Sequence, residues 1–560
     1  MSELKEYLVT CKNKNDLDSL YDDMETPGGN LYIPDREVEL VHRRPISRNT
    51  HYMLTKEEAA NVANDPRVIA CELRPVDLGA SASSTWEQTA NFEKTTGTLQ
   101  STDKNWGLYR TIKGETVANW GSNSITQISN RNIKTTASGK NVDVILVDEL
   151  INPNHPEFAV NSDGTGGSRV NQLNWWQYSS ILGYSTGPNY PYATSGAPPN
   201  KNHGTHVAGT ACGNTQGYAR DANIYNISWD PSISGVVDFE IKLWDYIRYF
   251  HLNKPINPET GRRNPTITNH SWGFSFNNEE TLSNINLVNY RGTLSSVTGN
   301  DAQKKSFLEA RGVPVPLNTR LFRAPFRSSA IDADISDGID EGIIYIGAAT
   351  NSYWISDVPG GQDYDNYWGS IRFPGFRYFT SRGSSPGAAC ICVGSVGSKV
   401  SEYKSNFSNW GPRVDIWAPG SDIISSVFDF SSAIGEGFYG PLTTDPRNST
   451  YYLGSISGTS MSTPQVTGVI ACLAEQEPNL NQEDALQYLI ESSIEGDVGD
   501  PGSNPNAFPY EGFGNGNNRY LYFKQKRPQE GSAFPRILFK NRNSETAGVK
   551  YPRTRNIVSK

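Results

Sequence analysis

The hydrophobic rhythm of the chain changes near residue 141. Before that point EYLVTCK (6–12) alternates apolar and polar residues as a half-buried strand does. LTKEEAANVAND (54–65) carries acidic residues in the first turn of an expected helix, and VIACELRP (68–75) reads as another strand. Residues 1–80 are thus expected to form a small α+β unit. The Ser/Thr-rich stretch that follows, within 81–104, reads as a linker. From residue 141 the apolar runs become short and nearly continuous: VDVILVD (142–148), ANIYNISW (222–229), PTITNHSW (265–272), GIIYIGAAT (342–350) and CICVGSV (390–396). Such runs suit strands buried on both faces. Helix candidates such as VVDFEIKLWDYIRYFHLN (236–253) lie between them. The expected fold class is therefore α/β, a mostly parallel sheet with helices on both faces, preceded by the small α+β unit. In such sheets ligands meet the carboxyl ends of the strands, so the residues that end them are the place to look for chemistry.

Composition narrows the partners. A net charge of −9 over 560 residues argues against a dedicated nucleic-acid binder. The opening MSELKEYLVTCKNK has no apolar run after its charges, and no later stretch has the length and apolarity of a spanning helix, so neither a signal peptide nor a membrane partner is expected. Six cysteines in a chain of this length do not make a disulfide framework, and a reducing compartment is the default expectation. Beyond residue 525 the chain turns basic, from Lys524, Lys526 and Arg527 to Arg555 and Lys560. This tail reads either as a solvated extension or as a docking arm for an acidic assembly partner.

Three separated stretches end in reactive side chains. VDVILVD ends in Asp148, KNHGTHVAGT (201–210) holds His203 and His206, and SISGTSMSTPQVTGVIACLAEQ (455–476) sets Ser460 just before an apolar helix. A serine hydroxyl needs a base within hydrogen-bond reach, and an imidazole needs a carboxylate to fix its tautomer. Asp, His and Ser in this chain order form one of the three unrelated orders that build such a nucleophile. The two histidines at a spacing of three also suit zinc, but that reading needs a third ligand, and no HExxH or Cys-rich segment accompanies them.

These segments resemble the subtilisin-like serine proteases. The resemblance rests on the HGTHVAG and SGTSMSTP boxes with NFSNWGPRVDIWAPGSDI (406–423), NHSWG (269–273), IGAATN (346–351) and NWGLYR (105–110), all in the family's order. It covers about residues 105–525 as the catalytic domain, leaving 526–560 as a basic extension. It implies Asp148, His203 and Ser460 as a triad, with the Asn351 side chain and the Ser460 backbone N–H as oxyanion donors. It makes His206 structural. Ser271, Trp272 and Gly273 are implied to pair with substrate as an edge strand, and Ala348, Ala349 and Thr350 to line the pocket. The N-terminal unit resembles the family's ferredoxin-like inhibitory propeptide. Cleavage by the protein itself is then expected within residues 76–84.

Departures are informative. Glu149 and Leu150 follow Asp148 where a small residue and glycine are usual, so this loop must bend differently, and Glu149 reads as a solvated loop charge. Thr350 stands where a glycine usually precedes the asparagine, which narrows the pocket toward small or slender residues. The loop after the histidine helix is shorter than in family members with a tight calcium site, so no metal site is assigned and no cofactor is expected. Extra segments occur near 160–200, 275–340, 355–385 and 425–450. The expected function is a self-processing serine endopeptidase acting on polypeptides, placed in the cytoplasm or in a virus particle. The alternative is a catalytically silent homologue with an assembly role. The Ser-Glu-Asp carboxyl peptidases share the SGTS box but lack the HGTH histidine.

Overall fold

The computed structural model describes residues 4–32, 39–43, 48–73, 86–94, 98–122, 125–187, 202–228, 242–274, 280–315, 324–383, 386–427, 442–499, 513 and 516–525. The expected cleavage segment 76–84 and the basic extension 526–560 lie outside them, as do parts of all four extra segments. The chain divides into two compact units, Met1–Ser84 and Thr85–Lys560.

In the first unit the order of elements is strand Lys5–Cys11, helix Leu17–Glu25, strands Glu39–Arg43 and Asn49–Leu54, helix Lys56–Ala63 and strand Val68–Leu73. The Lys5–Cys11 strand lies between Asn49–Leu54 and Val68–Leu73, and Glu39–Arg43 adds outside Asn49–Leu54. This is the split βαβ arrangement of ferredoxin-like units. Alternation decides the face: Tyr7, Val9 and Cys11 are buried, and they pack with Leu20 and Met24 of the first helix and Val62 of the second. The second helix starts at a capping box in which Thr55 and Glu58 satisfy each other's backbone N–H.

The second unit is built on an eight-stranded sheet. From one edge the strands run Asn223–Ser228, Asp143–Asp148, Thr266–His270, Ile344–Ala348, Ile391–Val396, Ile416–Pro419, Arg519–Tyr520 and Ile494–Glu495. The first seven are parallel and the last is antiparallel. Every residue of the Asp143–Asp148 strand is buried. Val144 and Leu146 face the core that holds the helices Asn202–Cys212 and Thr459–Gln476, while Ile145 and Val147 face the helices Lys242–Asn253 and Ser329–Asp340. Burial on both faces is why this strand is apolar throughout. Its register matches Asp148 with Ser228 and Val147 with His270, and His270 with Gly347. Asp148, the His270–Ser271 junction and the Ala348–Asn351 turn therefore leave the sheet at one end.

Two expectations are corrected. Part of the stretch expected as a linker is structured: Trp86–Glu93 pairs with Asp103–Asn105 and Gln127–Thr135 in a three-stranded sheet. Phe92 is fully buried, and Lys94 reaches Glu402 at 2.7 Å while lying over the rings of Trp106 and Trp120. The strand's other face is polar and half-exposed, so its alternation is hidden in a Ser/Thr-rich context. The NHSWG segment is also not an edge strand, because Thr266–His270 is flanked on both sides. Only its continuation, Ser271–Phe274, runs free of the sheet.

The extra segments at 275–340 and 355–385 fold together. Strands Ile285–Tyr290 and Thr293–Ser296 from the first pair with Tyr367–Ser370 and Tyr378–Phe379 from the second. This accessory sheet has its own core, with Trp368 stacked on Tyr378 at 4.0 Å and Trp354 beside them. Among the described residues no helix is long and apolar enough to cross a membrane.

The Asn202–Cys212 and Thr459–Gln476 helices approach closely at Gly468. A Cβ at Gly468 would lie 2.7 Å from the Ala211 carbonyl oxygen and 2.9 Å from Tyr218 Cβ. Gly468→Ala is therefore expected to lower stability by about 1–3 kcal/mol through overpacking, read as a lower urea midpoint at unchanged slope.

Candidate active site

Asp148 ends its strand with no solvent exposure. Its Oδ1 lies 2.7 Å from His203 Nδ1 and accepts the Glu149 N–H at 2.8 Å. A carboxylate facing Nδ1 holds the ring proton there and leaves Nε2 as the basic nitrogen. His203 sits in the first turn of its helix, one residue before Gly204. A Cβ at Gly204 would lie 2.4 Å from the Glu149 carbonyl oxygen, so the glycine lets the loop after Asp148 press against the histidine helix. Asn226 ties that loop down by donating to the carbonyls of Leu146 at 3.1 Å and Glu149 at 3.0 Å. In this way the loop turns with Glu149 and Leu150 in place of the usual small residues. Leu150 is buried, and Glu149 is half-buried, which corrects its reading as a solvated charge.

His206 lies one turn on and is wholly buried, with Nε2 at 2.9 Å from the Ile423 carbonyl and 3.1 Å from that of Gly454. Burial pushes its pKa down to about 3 against the pull of those two carbonyls, so the ring is neutral and donates to backbone. It stitches the helix to the Ile423–Val427 strand.

Ser460 is the second residue of the Thr459–Gln476 helix. Four residues on stands Pro464, which has no N–H to give the Ser460 carbonyl. The Ser271 hydroxyl supplies the missing donor at 2.9 Å, and the Ser460 hydroxyl donates to the Ser271 carbonyl, also at 2.9 Å. Behind them Asn269 Nδ2 donates to Ser271 Oγ at 3.0 Å, and Thr467 Oγ1 donates to Asn269 Oδ1 at 2.9 Å. The nucleophile candidate is thus coupled to the end of the neighbouring strand by a closed hydrogen-bond chain. Asn269 and Thr467 were not singled out by the sequence reading; the only signal for the chain was proline four residues after the serine.

Asn351 accepts from the Thr459 amide at 2.9 Å and the Thr459 hydroxyl at 2.7 Å, both on Oδ1. Its Nδ2 is therefore the end left to face a ligand. Asn351 and Ser460 line a pocket of about 210 Å³ together with Ser271, Trp272, Gly273, Phe274, Pro325, Ala348, Thr350, Ser352, Trp354 and Thr459. Trp272 is both lining and packing: its Nε1 donates to the Val147 carbonyl at 2.8 Å, and its ring lies 5.5 Å from His270. Ala349 is corrected. It is fully buried on the far side of the chain with Cys392 and Trp417, because the backbone turns over between Ala348 and Thr350. Thr350 has φ +76°, the left-handed region that suits glycine. Its hydroxyl is held by Asn409 Nδ2 at 2.7 Å. A β-branched residue there costs about 1–3 kcal/mol, which the surrounding bonds offset.

A mostly parallel sheet that presents Asp148, with His203 on it, and Ser460 toward one end is the layout of the subtilisin-like class. The chain belongs to the subtilase family, whose model matches residues 139–517. It is 22% identical over 404 residues to Alkaline protease 1 of Emericella nidulans, covering 72% of this chain and 69% of that protein. It is 29% identical over 244 residues to Subtilase-type proteinase RRT12 of Saccharomyces cerevisiae, covering 42% of this chain and 38% of that one. Among solved structures, a cold-adapted subtilisin-like serine proteinase aligns with TM-score 0.40 at 20% identity, over 71% of this chain and 94% of that chain.

The loop after the histidine helix is fixed by Glu157, a fully buried carboxylate. It accepts from the Thr215 amide at 2.9 Å, the Thr215 hydroxyl at 2.6 Å and the Gln216 amide at 3.1 Å, and it pairs with Arg447, which also holds Asp445 at 2.6 Å. Burial pushes the Glu157 carboxyl up, but the Arg447 guanidinium and the Thr215 donors outweigh it and bring it from 4.5 to about 2. A lowered folded-state pKa contributes stability above pH 4.5 that is lost as pH falls toward 2. Arg447→Met is expected to destabilise by about 3–5 kcal/mol at neutral pH, since it strands a buried charge. Glu157→Gln should flatten the loss of stability between pH 4.5 and 2, as measured by denaturant titration at each pH.

Proposed function

We propose that this subtilase is a serine endopeptidase that cleaves polypeptides through Asp148, His203 and Ser460 and an acyl-enzyme. The 2.7 Å contact between Asp148 Oδ1 and His203 Nδ1, at the same end of the sheet as the strand that leads into the Ser460 pocket, supports this reading. In the resting molecule the Ser460 hydroxyl donates to the Ser271 carbonyl. When substrate enters, the hydroxyl turns to His203 Nε2, which takes the proton as Oγ attacks the peptide carbonyl. Negative charge then develops on the carbonyl oxygen, facing Asn351 Nδ2 and the Ser460 N–H. Collapse breaks the C–N bond and His203 returns the proton to the leaving amine. Water, deprotonated by His203, then attacks the ester carbonyl, and His203 returns that proton to Ser460 Oγ as the ester C–O bond breaks and the acid leaves. The segment Ser271–Phe274, which continues beyond the last sheet-paired residue of its strand, is the proposed site of backbone pairing with substrate.

The N-terminal unit, Met1–Ser84, is read as an inhibitory propeptide that the enzyme removes by cutting within 76–84. Its βαββαβ order supports that reading. A fluorophosphonate should label the wild-type protein and leave Ser460→Ala unlabelled, and turnover should fall by about 10⁴- to 10⁶-fold in the variant. The same pair separates maturation from chance proteolysis: intact mass should show the wild type shortened and Ser460→Ala full length. Labelling of Ser460→Ala removes Ser460 as the nucleophile, and a wild type that neither labels nor hydrolyses peptides favours the silent homologue.

Thr350 fills the pocket wall where glycine would leave space. The residue before the cut is expected to be small or slender. A peptide library should show this, and Thr350→Gly should raise the ratio of kcat/KM for Phe or Tyr over Ala at that position by about tenfold. A wild-type preference for Phe or Tyr removes the idea.

A further inference from the structure

The segment that carries Asn351 is short, and its backbone is unusual. Thr350 and Tyr353 both have left-handed φ, +76° and +62°, and neither is glycine. Such a turn needs outside support to stay in one conformation. The support comes from one side chain on another segment. Asn409 is 1% exposed and uses both ends of its amide on this turn. Its Nδ2 donates to Thr350 Oγ1 at 2.7 Å, while its Oδ1 accepts the backbone N–H of Ser352 at 3.1 Å and of Trp354 at 2.9 Å. Its own backbone N–H donates to the Thr350 carbonyl at 2.9 Å. Asn409 thus grips the residue just before Asn351 and the residue just after it.

We infer that Asn409 is a positioning residue for the oxyanion site: it locks the Thr350–Trp354 turn so that the Asn351 amide is aimed before substrate arrives. The inference rests on the serine-peptidase reading above and names the group that preorganises its oxyanion donor. Asn351 is held through Oδ1 by Thr459. That bond orients the amide only while the Asn351 backbone stays in place, and Asn409 fixes the backbone. Neighbouring contacts assist: the Tyr353 N–H donates to the Phe407 carbonyl at 3.2 Å, and Trp410 Nε1 to the Tyr353 carbonyl at 3.1 Å. They reach only the far end of the turn. The Thr350 end depends on Asn409 alone among the side-chain contacts described. Threonine at a glycine-like position and asparagine at 409 therefore form one device, in which the hydroxyl that narrows the pocket is also the handle by which the turn is held.

A donor displaced by a fraction of an ångström should lose its strength mostly in the transition state, where the oxyanion is formed. Asn409→Ala in the full-length protein is expected to lower kcat on a short chromogenic peptide by about ten- to a hundredfold, with KM within about threefold. Asn409→Asp keeps an oxygen for the Ser352 and Trp354 amides and another to accept from the Thr350 hydroxyl. It should recover kcat to within about fivefold of wild type. Thr350→Val keeps shape and branching but removes the handle, so its kcat should fall at temperatures where the variant is fully folded, and its melting temperature should drop by only a few degrees, since the buried Asn409 Nδ2 loses one acceptor. These three results together support the inference. It is overturned if Asn409→Ala keeps wild-type kcat, if the loss lies in KM alone, or if Asn409→Asp falls as far as Asn409→Ala. Should Asn409→Ala not fold, Thr350→Val decides alone, and wild-type kcat in that variant overturns the inference. A wild type without hydrolysis overturns the parent reading instead, so the two failures are distinct.

Discussion

A carboxylate with no access to water needs donors fixed in place, and the site is arranged around that need at Asp148. The strand that ends in Asp148 is covered on both faces, so its side chain cannot turn to solvent. The imidazole of His203 and the amide of Glu149 supply the donors. Each of these requires something further. The histidine needs a helix that starts beside the strand end, which Gly204 permits; the loop needs a clamp, which Asn226 provides. The remaining members follow from the same sheet end, because parallel strands deliver their carboxyl termini together.

Hydrogen bonds that cross between segments do most of the aiming. Pro464 removes the helical donor for the Ser460 carbonyl, and the strand end at Ser271 fills the gap. Thr459 holds Asn351, and Asn409 holds the turn on which Asn351 stands. The serine and the asparagine are therefore set by residues far away in the chain. In the proposed mechanism such coupling would keep the donors in place at little reorganisation cost as charge develops.

Much of the catalytic unit was legible in the sequence. Continuous apolar runs located the Asp143–Asp148, Asn223–Ser228, Thr266–His270, Ile344–Ala348 and Ile391–Val396 strands, since burial on both faces leaves no polar alternation. The boxes around His203 and Ser460 marked the candidate reactive groups through a family resemblance. What was not legible depends on distant partners. The Trp86–Glu93 strand looked like a linker because only Trp86 and Phe92 mark its apolar side. The first helix of the N-terminal unit, Leu17–Glu25, was missed among acidic residues. Ala349 was expected in the pocket, yet a turn of the backbone sends it into the opposite core. Glu157 with Arg447, and Asn409 with Thr350, are separated by too many residues for any periodicity to reveal them.

The accessory sheet takes two strands from one extra segment and two from another, and the Ile344–Ala348 strand and the Asn351 turn lie between them in the chain. Neither segment is complete without the other: on its own the first would present the open edge of Ile285–Tyr290, and the second would leave Trp368 bare. As units of inheritance the two loops are therefore a single character. Trp354 stands in the core of this sheet while also walling the pocket, so removing the sheet would strip the support from one wall of the pocket as well.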